Sequence, residues 1–385
     1  MKICMITEFP PALDGIADYS DRLVKSQIAA EQEVMIIAPM KPIEAQAGVH
    51  RVLGFSFGSL KTTYKMILQF QPDVIHVQYC LSMYGLTSFT IFFALLMVKL
   101  RHKKIKTIAT LHELQREQER VGFIATLFYT FFLKVYDGLM VHTEASNKLL
   151  TSKYGLKQSK VLTIPFPVYE FKNTALKKQF AEQKYKLGNS PMILCFGFIQ
   201  VDKGIQYLLQ GFASAIQDKS LDDARLIIAG DVRKRSGGMF ARYEQKDIKY
   251  KAELVDYVKQ NKLSKSVTFA GFVKNEEIYS LFDRADIIVI PYTKIEQSSV
   301  LGMSLAANRP IIASNVAGLG ETLADTGLLV EPADSNGISQ GIRRILTDGK
   351  YRKNLVHGYE ILNQLHDQDR IARVTVDFYR SFTDK

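Results

Sequence analysis

The segment Gly197–Gly204, read GFIQVDKG, has the residue types of a phosphate site. It follows an apolar run, Met192 to Phe196, that reads as a buried parallel strand. It precedes a helical pattern with Leu208, Leu209 and Phe212 on one face. A strand, a glycine-containing turn and a helix in that order bring backbone N–H groups and a helix N-terminus around an anion. Lys203 adds a flexible cation at the same point. On this segment alone, an ordinary nucleotide-fold turn with a surface lysine reads the same way. His112 and Glu113 end another apolar run, and Asp231 ends a third, LIIAGD. A histidine at a strand end either meets a ligand or completes the packing. The aspartate either lines a site or caps a helix. No pair of carboxylates suggests a double-displacement glycosidase.

These residues need a scaffold, and the chain supplies a repeated one. Short apolar runs alternate with longer amphipathic segments, the pattern of an α/β protein with parallel sheets covered by helices. The first set of strand candidates is Lys2–Thr7, Glu33–Ala38, Val74–Val77, Ile105–Leu111, Gly138–His142 and Val161–Ile164. A second set is Met192–Phe196, Ala224–Ala229, Val267–Ala270, Ile287–Ile290, Pro310–Ala313 and Gly327–Val330. Between them, Pro165 to Asn189 holds two prolines and a lysine-rich stretch, and reads as a linker. Two such sheets in sequence predict two domains, over 1–168 and 169–366, with a cleft between them. Ligands of open sheets of this kind bind at the carboxyl ends of the strands. The last helix, roughly Asp367 to Phe382, either finishes the second domain or crosses back onto the first as part of a 367–385 segment.

At 385 residues the chain exceeds the size at which one core keeps growing. The formal net charge of +11 favours anionic partners: phosphorylated substrates, an acidic membrane surface or nucleic acid. Nucleic acid is the weakest of these, because no zinc finger, helix-turn-helix spacing or aromatic RNA-binding string is present. The basic residues cluster at Lys99, Arg101, His102, Lys103, Lys104 and Lys106, and again at Arg233, Lys234 and Arg235. Cys4, Cys80 and Cys195 are widely spaced in apolar surroundings, which argues against a disulfide frame or zinc site and for buried thiols in a reducing cytoplasm. The start, MKICMIT, reads directly as a strand and not as a secretory signal.

Further segments make a resemblance specific. GFIQVDKG, LIIAGD (Leu226–Asp231), FAGFVKNEEIYSLFDRADIIVIPY (Phe269–Tyr292), EQSSVLGMSLAANRPIIAS (Glu296–Ser314) and GLLVEPAD (Gly327–Asp334) occur in the order seen in retaining glycosyltransferases of the GT-B fold. In the first half, PPALDGIADYSDRL, DVIHVQY, TLHE and VHTEASNKLL have counterparts too. The chain resembles glycosyltransferase family 4 (group 1) over nearly its full length.

The resemblance implies two Rossmann-like domains facing a central cleft, the second binding a nucleotide sugar without a metal. Lys203, Glu296 and His112 match the family's catalytic positions. The lysine contacts the diphosphate, a fixed cation against growing charge. The histidine approaches the donor sugar. Donor contacts fall on Gly15, Gly197, Phe198, Lys203, Asp231, Val273, Glu296, Ser298, Ser299 and Val300. Gly15 would let the first-domain loop approach the diphosphate closely, and its neighbour Asp14 replaces a second glycine common in relatives. The N–H groups of Ser299 and Val300 would face the diphosphate from a helix N-terminus. Two departures stand out. Phe198 occupies the place of an arginine. The family's second glutamate, which grips the ribose, falls on Ser304 counting eight from Glu296, or on Met303 counting from Asn308-Arg309-Pro310, and neither is acidic.

The implied activity is hexosyl transfer from a GDP- or UDP-linked sugar to a glycan or lipid-linked acceptor, in cell-surface polysaccharide or glycolipid synthesis. A nucleotide-sugar epimerase of the same fold and a non-catalytic partner subunit are the alternatives. Leu86–Val98 and Phe123–Val135 are apolar but short of the ~18–20 residues of a membrane span. Each reads either as a core helix or, beside the lysine-rich run, as a peripheral contact with anionic lipid on the inner face of the cell membrane.

Overall fold

The computed structural model describes the chain except residues 13–14, 41–45, 169–170, 172–177, 234–240, 296–297, 325 and 385, and the side chains of 116, 118–125, 128, 178 and 241–243. The chain divides into two compact units, residues 1–167 with 366–385, and residues 168–365.

The first unit is built on β1 (Lys2–Ile6), β2 (Glu33–Pro39), β3 (Val49–Leu53), β4 (Val74–Tyr79), β5 (Lys106–Leu111), β6 (Gly138–Val141) and β7 (Val161–Thr163). They form one sheet in the order β3-β2-β1-β4-β5-β6-β7, every neighbouring pair parallel. Helices cover both faces, so the central strands are buried on both sides, as β4 is throughout. The order reverses direction between β1 and β4. That switch point places the loop before Gly15 and the loop after Tyr79 at one edge. The C-terminal helix, Gln368–Thr383, is capped by the Asp367 carboxylate, which accepts from the Arg370 N–H. It belongs to this unit: Ile371, Val376 and Tyr379 are buried with Ile3, Val74 and Ile108.

The second unit carries β8 (Met192–Phe196), β9 (Arg225–Ala229), β10 (Val267–Gly271), β11 (Ile287–Ile290), β12 (Ile311–Ser314) and β13 (Leu328–Val330). Their order is β10-β9-β8-β11-β12-β13. Here the direction reverses between β8 and β11. The stretch expected as a linker is in part structure: the helix Lys178–Tyr185 packs on the helix Asn275–Arg284. Ala181 is fully buried there, and its N–H donates to the Ser280 hydroxyl at 2.9 Å.

The two apolar runs of the first unit lie in the helices Thr87–Arg101 and Leu114–Lys134. The first buries Ile91, Ala94, Leu95 and Val98, so its core role is real. Its other face is apolar as well: Leu86, Phe89, Phe93 and Leu100 recur at helical spacing and are exposed. Phe55, just before the helix Phe57–Phe70, and Phe57, which opens it, are 61% and 81% exposed, and the Phe55 and Phe89 rings lie 6.3 Å apart. Among the described residues, no helix is long and apolar enough to cross a membrane. The basic run beside this helix is smaller than its sequence suggests. Lys99 pairs with Asp137 at 3.1 Å and donates to the Val135 carbonyl, leaving Arg101, Lys103 and Lys104 as its exposed cations.

Candidate active site

In the second unit the switch point lies at the carboxyl ends of β8 and β11, where an open sheet offers a crevice to a ligand. The loop after β8 holds Gly197–Gly204, and the loop after β11 leads through Tyr292 to Ser298. The two loops are joined by backbone contacts. Thr293 N–H donates to the Asp202 carbonyl at 2.9 Å. Gly204 sits at φ +60°, and a Cβ there would stand 2.0 Å from the Pro291 carbonyl oxygen. Only glycine allows that approach together with that backbone angle. Gly230, after β9, is held equally tightly against Gly197, whose carbonyl oxygen would lie 1.9 Å from an added Cβ.

This backbone frame fixes Lys203 at the end of a short 3-10 turn, Val201–Lys203. Its Nζ lies 3.6 Å from the centroid of the Tyr292 ring, a cation–π contact that aims the ammonium group. Tyr292 is 1% exposed, and burial pushes its phenol well above the usual range, so it stays neutral. Burial also pushes the Cys195 thiol up to about 12, with the Lys203 charge acting in the opposite direction. The helix Ser299–Ala306 starts beside the same spot. A Cβ on Gly197 would touch Val300 Cγ2 at 3.6 Å and lie 3.9 Å from the Tyr292 hydroxyl. Ser298 stands at the N-cap position without capping the helix. The buried Ser298 and Tyr292 hydroxyls interact with each other and have no hydrogen bond of ordinary geometry to any other group.

Gly197, Lys203, Ser298, Ser299 and Val300 therefore converge. The Arg233 guanidinium from the loop after β9 lies 5.7 Å from the Phe198 ring centroid. That arginine was legible only as part of a basic cluster, because the contact joins two different strand ends. Asp231 follows Gly230 at the carboxyl end of β9. It pairs with Lys251 at 2.6 Å and accepts from its neighbour's Val232 N–H. Val273 is a core residue beyond β10. Glu296 lies outside the described residues, as does Asp14.

In the first unit, Gly15 opens the helix Gly15–Ala29 at the switch point. His112 follows β5 and is 6% exposed. Its Nε2 donates to the Gln78 carbonyl oxygen at 2.8 Å, and its ring packs against His142 and Tyr19. Burial, then the neighbouring His142 and His76, hold it well below the usual imidazole range, hence neutral. His76 lies within β4 instead of after it, fully buried.

A chain built this way has known counterparts. Residues 13–169 match the glycosyltransferase family 4 domain, and residues 190–348 match the group 1 glycosyl transferases. The chain belongs to the group 1, family 4 glycosyltransferases. An uncharacterized glycosyltransferase of Methanocaldococcus jannaschii is 29% identical to it over 192 residues, 49% of this chain and 44% of that protein. The alpha-D-kanosaminyltransferase of Streptomyces kanamyceticus is 25% identical over 190 residues, 48% of this chain and 45% of its own. The match thus spans about half the length of these curated relatives. Sucrose-phosphate synthase from Thermosynechococcus elongatus superposes with a TM-score of 0.74 at 20% identity, covering 100% of this chain and 99% of that one. Anabaena HepE in complex with UDP-glucose superposes at 0.77 and 14% identity, covering 99% and 100%. This glycosyltransferase has the GT-B fold.

Proposed function

We propose that this glycosyltransferase moves a hexosyl unit from a GDP- or UDP-linked sugar to a glycan or lipid-linked acceptor, with retention at the anomeric carbon, in cell-surface polysaccharide or glycolipid synthesis. The observation that carries the reading is the convergence of Lys203, Gly197 and the N-terminus of the helix Ser299–Ala306 at the second unit's switch point. A diphosphate needs close backbone approach, N–H donors and a cation, and this spot offers all three. In the transfer, the bond from the anomeric carbon to the diphosphate oxygen breaks as the acceptor oxygen bonds to that carbon on the same face. The departing oxygen takes the acceptor's proton. Lys203 and the helix N-terminus stabilise the charge left on the diphosphate, and the family resemblance assigns Glu296 and His112 to the donor as well. A panel of UDP- and GDP-sugars, screened for thermal stabilisation and then for release of nucleoside diphosphate with an acceptor, tests this. A panel with neither stabilisation nor release overturns it.

Activity is expected to persist in chelator, because Lys203 and the helix N-terminus take the charge a metal would otherwise take. In the first unit, among the described residues, Cys80, Glu113 and Glu117 bring potential ligand atoms within 4.8 Å of one another. Their oxygens already have donors: Ser82 Oγ reaches Glu113 at 3.1 Å, and the Leu81 N–H donates to Glu117. Complete loss of turnover in EDTA, restored by magnesium or manganese, would contradict metal independence.

The exposed stripe Leu86–Phe89–Phe93–Leu100, with Arg101, Lys103 and Lys104 at its end, supports docking on anionic lipid. Binding to phosphatidylglycerol vesicles should weaken as salt screens the charges beyond ~10 Å at 0.1 M. Neutralising the three cations together should release the protein while sparing turnover of a short soluble acceptor. Wild-type protein left in the supernatant at low salt would remove the membrane from the reading.

A further inference from the structure

A line of buried polar side chains runs through the first unit from the C-terminal helix to His112. Gln27 Nε2 donates to the Tyr379 hydroxyl at 3.2 Å. That hydroxyl is hydrogen-bonded to His76 Nδ1, and His76 Nε2 meets the Thr110 hydroxyl at 2.8 Å. Gln78 Nε2 reaches His76 Nε2 at 3.4 Å, while its carbonyl oxygen takes the His112 Nε2 proton at 2.8 Å. Tyr379, His76, Thr110 and Gln78 are completely buried. Four buried polar residues in this sheet and helix layer are costly unless hydrogen-bonded, and here each has at least one partner within the line.

The protons along this line are not independent. An amide has one donor end and one acceptor end. If the Gln78 NH2 points to His76, His76 Nε2 must carry a lone pair, and its proton sits on Nδ1, donated to Tyr379. The Gln78 carbonyl then faces His112 and requires a proton on His112 Nε2. A neutral imidazole has one proton, so the lone pair falls on Nδ1. An apolar residue at position 78 would leave His112 free to adopt either tautomer, and only one of them offers Nδ1 as an acceptor.

We propose that Gln78, oriented by His76 and by Tyr379 of the C-terminal helix, is a positioning residue that holds His112 in the tautomer with Nδ1 as its hydrogen-bond acceptor. That acceptor suits a sugar hydroxyl, which donates to it. The consequence for catalysis rests on the proposed transferase reading, in which His112 meets a donor hydroxyl; the tautomer itself does not. It also assigns a task to the crossing of the chain back onto the first unit: a helix far away in sequence supplies the last hydroxyl of the line.

The experiment uses the full chain with isotope-labelled histidine, and the His112 signals are assigned by their loss in His112→Gln. Long-range proton–nitrogen correlations should show neutral His112 protonated on Nε2 alone at neutral pH. In Gln78→Met both tautomers should appear, and kcat should fall by roughly tenfold to 10²-fold with KM for the nucleotide sugar little changed, the size of effect expected from a misplaced reacting group. Tyr379→Phe removes one distant oxygen and keeps the packing, so it should shift the tautomer ratio in the same direction with a smaller loss in kcat. Wild-type His112 protonated on Nδ1 overturns the proposal, as does a Gln78→Met enzyme with one tautomer and wild-type kcat. Should Gln78→Met fail to fold, the wild-type tautomer and the Tyr379→Phe ratio decide it. If the wild type turns over no nucleotide sugar, the transferase reading fails while the tautomer measurement still judges this one.

Discussion

Lys203→Ala is expected to lower nucleoside diphosphate release by 10²-fold or more while the protein stays folded. The size follows from the charge. A preorganised cation at the point where negative charge grows is worth about 2.7–4 kcal/mol in the transition state. The structure lets that effect be separated from stability. Lys203 is half-buried over the Tyr292 ring, and the lost cation–π contact costs on the order of 0.5–2 kcal/mol. That loss moves the melting temperature a few degrees; it does not unfold the unit. Lys203→Met, which keeps the aliphatic stem over the ring, should recover part of the stability and none of the rate. Wild-type release by Lys203→Ala would take Lys203 out of the site, and with it the charge argument for a diphosphate there.

How far the sequence leads depends on whether the determining contact is local. The central strands declare themselves because a strand buried on both faces must be continuously apolar, as Ile287–Ile290 is. Val49–Leu53 does not: it is an edge strand paired only with β2, its residues largely half-exposed, and VHRVL lacks an unbroken apolar run. The side on which the last helix packs was open for a related reason. Its amphipathic face fits any apolar surface, and the partners that choose one, such as His76 for Tyr379, lie hundreds of residues away in sequence. The site divides along the same line. Lys203 is legible because strand, turn and helix surround it in one short segment. Tyr292 beneath its ammonium group, Gly230 against Gly197 and Arg233 over Phe198 come from other strand ends. Only the sheet order brings them together. The arginine missing at Phe198 reads as a loss in the sequence, while in the fold the Arg233 guanidinium lies over the Phe198 ring.

The first unit is expected to lose stability steeply as pH falls below neutrality. His76, His112 and His142 are 0%, 6% and 6% exposed. Burial lowers the His76 imidazole from 6.5 to about 3 and His142 to about 4, and holds His112 well below 6.5. The sign follows from proton counting. Unfolded, each histidine binds a proton as pH drops through 6.5; folded, each refuses it until the lowered value is reached. In that interval the unfolded chain holds more protons, so unfolding becomes easier as pH falls. Above 6.5 the three groups cost nothing. By about pH 5 His76 and His142 each contribute a loss of about 2 kcal/mol, together about 4 kcal/mol, a large share of the stability of a domain, and His112 adds to it in the same direction. Within this unit Asp137 is lowered from 3.8 and acts only below this window, while burial raises Asp18. Hydrogen exchange of the β4 and β5 amides, compared between neutral and mildly acidic buffer, reads the first unit without interference from the second. The expected slope counts His76, His112, His142 and His366, the last also lowered by burial, and His142→Phe, which keeps a ring beside Tyr19 and Phe166, should reduce it by one proton. Protection unchanged across the interval would mean that these imidazoles are hydrated and free to charge, and that the neutral His112 on which the reading of the first unit depends does not exist.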